Sequence, residues 1–73
     1  MNDRIVLDSN ICHGKPVVRG TRVPVARVLG YLAGGMSYED VEKDYGLTPE
    51  DIQAVLAYAA DVLSQEQHHP LPT

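Results

Sequence analysis

The sequence predicts a mainly α fold: a three-helix, helix-turn-helix unit over residues 24–64, preceded by a short N-terminal β-hairpin or extended arm over 1–23. Three observations carry that prediction. "LTPED" (47–51) assembles a helix start, with Thr48 as N-cap, Pro49 at the first helical position and Asp51 at the third. Behind it, Ile52, Val55, Leu56, Ala59 and Leu63 recur with helical period and form a core stripe. Near the N-terminus, "RIVLD" (4–8) and "PVVRGTRV" (16–23) are short, rich in β-branched residues and separated by turn chemistry.

The elements follow in order. Residues 4–8 read as a strand. "SNICHGK" (9–15) reads as a turn in which Asn10 and Gly14 are the residues able to take φ > 0. Residues 16–23 read as a second extended segment. Pro16 lacks the N–H a ladder needs, so this strand is an edge or begins there, and Gly20 marks a bulge or bend. Pro24 suits the first turn of a helix whose apolar residues are Val25, Val28, Leu29 and Leu32, and the glycines at 34–35 stop it. Ser37, with Asp40 three residues on, starts a short acidic helix over about 38–45 that buries Val41 and the tyrosines Tyr38 and Tyr45, and Gly46 ends it. The third helix runs from about 49 to 64. Residues 65–73, "QEQHHPLPT", are polar, proline-punctuated and without period, and are expected to form a flexible tail.

A 73-residue chain has a small core, and its single Cys12 excludes an internal disulfide. That cysteine usage suits a cytoplasmic protein, and no apolar run approaches a membrane span. The net charge of −4 is unevenly placed: residues 1–27 carry +3 and residues 28–73 carry −7. A basic head and an acidic body point to different partners.

No pattern of residues supports catalysis, a metal or a cofactor. The glycines at 14 and 20 lack the spacing and the Lys-Ser/Thr of a phosphate-binding P-loop. Cys12 and His13 are adjacent and, on an extended chain, point apart; His68 and His69 lack further ligands at suitable spacing. Binding is the better-supported class. The third helix offers Glu50, Asp51 and Gln53 in its first turns, and no Lys or Arg occurs after residue 43. Nucleic-acid contacts are therefore expected to run to phosphates through Arg4, Arg19, Arg22 and Arg27, with Gln53 as the third helix's own candidate. A second stripe on that helix, Ala54, Ala57, Tyr58 and Val62, together with Leu71 of the tail, is expected to meet a partner or a second copy, because a helix apolar on two sides is covered on both. An exposed edge strand in the head also favours a homodimer.

Several segments form one longer pattern: Gly14-Lys15-Pro16, Gly20-Thr21-Arg22, Gly35 to Asp40, Leu47 to Ile52 and Ala54 to Ala59, with Ile5, Asp8 and Ile11 ahead of them. In these residues the chain resembles the small prokaryotic family catalogued as "domain of unknown function 433". The resemblance implies a homeodomain-like three-helix unit with an N-terminal β segment. It further implies an antitoxin-like, non-enzymatic module that neutralises a PIN-like ribonuclease toxin, with operator DNA as a second, autoregulatory partner. The alternatives are a stand-alone helix-turn-helix transcription regulator and a purely structural dimerisation domain.

Overall fold

The structure, a computed structural model, describes residues 2–65. Its order is β1 (Ile5–Leu7), β2 (Pro16–Val18), α1 (Val25–Ala33), α2 (Tyr38–Tyr45) and α3 (Pro49–Ser64). The two strands form an antiparallel hairpin in which Ile5 faces Val18, Val6 faces Val17 and Leu7 faces Pro16. Three helices behind a two-stranded hairpin is the architecture expected. No helix among the described residues is long and apolar enough to cross a membrane.

The hairpin loop differs from expectation in its chemistry. The left-handed residues are Cys12, His13 and Gly14, with φ of 52°, 56° and 81°, and Asn10 is not among them. Asp8 accounts for this: its carboxylate accepts the Asn10 N–H at 2.8 Å and its carbonyl accepts the Ile11 N–H at 2.9 Å, closing a turn in which Asn10 does not take a positive φ. The left-handed stretch then falls one turn later.

The extended segment expected over 16–23 is also broken. β2 ends at Val18, and the chain doubles back so that the Val18 N–H donates to the Val23 carbonyl at 3.0 Å. Gly20, at φ 78°, makes the reversal possible. Thr21 stitches it: its hydroxyl donates to the Val18 carbonyl at 2.7 Å and accepts the Val23 N–H at 3.0 Å. Pro24 then bridges to Val17, which holds it extended at ψ 141°, so it stands at the N-cap of α1 and the helix begins at Val25. The first-turn position expected for Pro24 is thereby corrected by one residue.

The other helix ends follow their residues. Ser37 accepts the Asp40 N–H at 3.1 Å, and Gly46 closes α2 in the left-handed conformation at φ 66°. At the start of α3, the Asp51 N–H donates to the Thr48 hydroxyl at 3.1 Å, while the Thr48 N–H donates to the Asp51 carboxylate at 3.0 Å. This reciprocal pair fixes the helix start, and a turn of only Gly46, Leu47 and Thr48 separates α2 from α3.

The largest fully buried side chains are Val17, Val18, Val28, Val41, Ile52 and Val55. All are β-branched, stiff at χ1, and each contributes about 1.5–3 kcal/mol by leaving water. Expectations fail on both α3 and α2. Ala54 is in the core, not on a second stripe, because the N-terminal arm lies over it. Leu63 is exposed, not core, because α3 runs past the end of the buried cluster. Tyr38 is exposed as well, and of the α2 tyrosines only Tyr45 packs against the core.

Candidate functional site

Two exposed faces and a groove hold the candidate residues. The first face is the cleft between the arm and α3. The Arg4 guanidinium meets the Asp51 carboxylate at 2.9 Å, with Arg4 half exposed and Asp51 only 13 % exposed. Burial alone would push the Asp51 carboxyl up, but the Thr48 backbone N–H and the Arg4 guanidinium outweigh it and hold the group below its ordinary value. Two residues earlier, the Asn2 side-chain amide donates to the Ala54 carbonyl at 2.6 Å. The arm is thus fastened along the first turns of α3. The cleft beside it measures about 550 Å³ and is lined by Asp3, Arg4, Glu50, Gln53, Ala57 and Asp61, among others.

Of the residues expected to touch nucleic acid, Arg4 and Gln53 are brought together in this cleft. Arg19 is Arg4's neighbour across the hairpin end, its N–H donating to the Arg4 carbonyl at 2.6 Å. Arg22 stands in the exposed turn after Gly20, and Arg27 lies on α1, away from the cleft-lining set. The five do not form one patch around a single cavity. Arg4 has a carboxylate partner, and Arg19 and Arg22 have no hydrogen-bonded acid among the described residues.

The second face is on α1 and α2. The rings of Tyr31 and Tyr45 stack with centroids 5.6 Å apart and planes 25° from parallel. The neighbouring Tyr31 hydroxyl raises the Tyr45 hydroxyl pKa above its ordinary value, and the Arg27 charge nearby opposes that rise. Tyr38, seven residues before Tyr45 on α2, is 52 % exposed. Along its length α2 carries Glu39, Asp40, Glu42 and Asp44 against the one Lys43. Sequence reasoning missed this face. The seven-residue spacing of Tyr31, Tyr38 and Tyr45 was its visible signal, but 31 and 45 sit on different helices, and only the fold pairs them.

The third feature is an apolar groove of about 370 Å³ where the end of α3 passes the start of α1 and β2. Tyr58 and Val62, expected to meet a partner, line it, and so do Ala59 and Leu63, which were assigned to the core. Ala57 lies on the opposite, arm-side cleft, and Leu71 falls outside the described residues.

Comparison with known proteins adds the following. Residues 5–59 match the family described as Protein of unknown function (DUF433). Over 52 residues the chain is 42 % identical to "Putative antitoxin VapB45" of Mycobacterium tuberculosis, a match covering 71 % of this chain and 22 % of that protein. The crystal structure of Rv2018 from Mycobacterium tuberculosis superposes with a TM-score of 0.66 at 42 % identity, covering 71 % of this chain and 24 % of that one. A DUF433 member protein from Anabaena variabilis superposes with a TM-score of 0.79 at 28 % identity, covering 90 % of this chain and 66 % of the other. The chain therefore spans about a fifth of the curated relative's length.

Proposed function

The chain belongs to the DUF433 family, and from that premise we propose that it is an antitoxin-like binding module that neutralises a PIN-like ribonuclease toxin. The name of the Mycobacterium tuberculosis relative supports the class of function. The observation that carries the reading on this chain is the face of α1 and α2. Tyrosine is enriched among the residues that dominate protein interfaces, and stacked rings present large area with little rotamer entropy to lose. An acidic surround is complementary to the basic surface a ribonuclease presents to RNA. Tyr31 and Tyr38 supply the anchors, and Glu39, Glu42 and Asp44 the complementary field.

Operator DNA is a second partner in this reading. Arg19 and Arg22, on the exposed turn made by Gly20, are the phosphate contacts. Arg4 contributes less, because its guanidinium is occupied by Asp51. The acidic first turn of α3, with Glu50 and Asp51, argues against deep insertion of that helix into a groove.

The test is the affinity between this chain and a PIN-like ribonuclease, where one is encoded beside its gene. Tyr38→Ala is expected to weaken binding at least about 10-fold, as truncation of an interface anchor does. Tyr38 is exposed, so the variant should keep its helical circular dichroism. Tight binding that survives both Tyr31→Ala and Tyr38→Ala would place the toxin elsewhere.

A further inference from the structure

The apolar stripe of α3 is longer than the core it serves. Ile52 and Val55 close the buried cluster, and the same face continues through Ala59, Val62 and Leu63. There it leaves the cluster and becomes one wall of the groove, opposite Pro24, Val25 and Leu29 of the α1 start. Leu63 is 67 % exposed on the groove's lip. Leu7, also exposed, faces Pro16 across the hairpin, and Pro16 lines the groove, so the apolar surface extends onto the strands. A hole and a protruding leucine stand side by side on one patch.

We infer that a second copy of this chain fills the groove. The ends of the two α3 helices cross about a twofold axis, and Val62 and Leu63 of each protomer seat in the groove of the other. A twofold interface uses the same patch on both partners, so it must carry both a cavity and what fills it, and this patch does. Charge selects the same occupant. Each chain carries −4, so two copies meet best where no carboxylates oppose one another. Among the described residues the groove lining holds Lys15 and no acid. The arm-side cleft, by contrast, is lined by Asp3, Glu50 and Asp61, and α2 carries four acids. Pairing also leaves the α1–α2 tyrosines uncovered, so each protomer keeps its own docking face for a toxin. This inference does not depend on the toxin reading.

Sedimentation velocity of the full chain from about 1 to 100 μM tests it, with thermal melts across the same range. The expected result is a dimer whose melting temperature rises with concentration. Leu63→Glu should weaken association at least about 100-fold, since a charge enters the twofold contact in both copies, and should yield a monomer with unchanged helical circular dichroism. Tyr38→Glu, on the other face, should leave the dimer intact. A wild-type monomer at the highest concentration overturns the inference, as does a Leu63→Glu variant that sediments as wild type does. A monomeric chain that loses toxin binding on Leu63→Glu would make the groove the toxin's seat and overturn it too.

Discussion

Asp51→Ala should destabilise the chain more than an exposed-surface change does, because one carboxylate performs three tasks. It accepts the Thr48 N–H as half of the reciprocal cap, a loss of about 0.5–1 kcal/mol. It places negative charge in the first turn of α3, about 0.3–1 kcal/mol. It clasps Arg4 at 2.9 Å, and because Arg4 is half exposed this pair contributes only about 0.2–1 kcal/mol. Alanine's better helix propensity returns about 0.5 kcal/mol. The net loss is about 0.5–2.5 kcal/mol, or about 2–20 °C in melting temperature for a domain this small. Asp51→Asn keeps an acceptor for Thr48 but no charge, and should lose about half as much. The pH dependence has a definite sign. The folded carboxyl titrates below its ordinary value, so its stabilisation is present above the unfolded pKa of about 4 and is lost as pH falls through the folded value. The gap between wild type and Asp51→Ala should therefore be widest near neutrality and narrow in acid. Thermal melts by circular dichroism at one fixed protein concentration measure both effects. A change under about 2 °C at neutral pH, or a gap that does not shrink in acid, would refute the reasoning.

Two further outcomes follow from other positions. Gly46 ends α2 at φ 66° with open space where a Cβ would stand, so Gly46→Ala should cost about 1 kcal/mol from backbone strain alone, read in the same melts. If DNA is bound, Arg19→Ala and Arg22→Ala should each lower the salt slope of binding by about 1 and weaken all sequences alike, whereas Gln53→Ala should leave affinity nearly unchanged. Fluorescence anisotropy over a salt series separates these outcomes.

The parts of the fold that local chemistry dictates were legible in the sequence. Thr48, Pro49 and Asp51 set the start of α3, Ser37 and Gly46 bounded α2, and Gly20 marked the reversal after β2. What could not be read depended on distant partners. The left-handed Cys12 and His13 follow from how the Asp8 turn is closed. The burial of Ala54 depends on an arm 52 residues away in sequence, held by Asn2. The exposure of Leu63 depends on where the core ends, which periodicity along α3 does not reveal. The site divides in the same way. Arg19 and Arg22 were visible as a basic pair around a glycine turn, but the engagement of Arg4 spans 47 residues to Asp51, and the Tyr31–Tyr45 stack forms only when α1 and α2 pack.

The most direct test of the antitoxin-like reading is a titration of RNA cleavage. A PIN-like ribonuclease, where one is encoded beside this gene, is assayed on a fluorogenic RNA while the wild-type chain is added in increasing amounts. Cleavage should fall to background once the chain matches the toxin in stoichiometric amount. Cleavage that continues undiminished in the presence of excess folded chain would contradict the account.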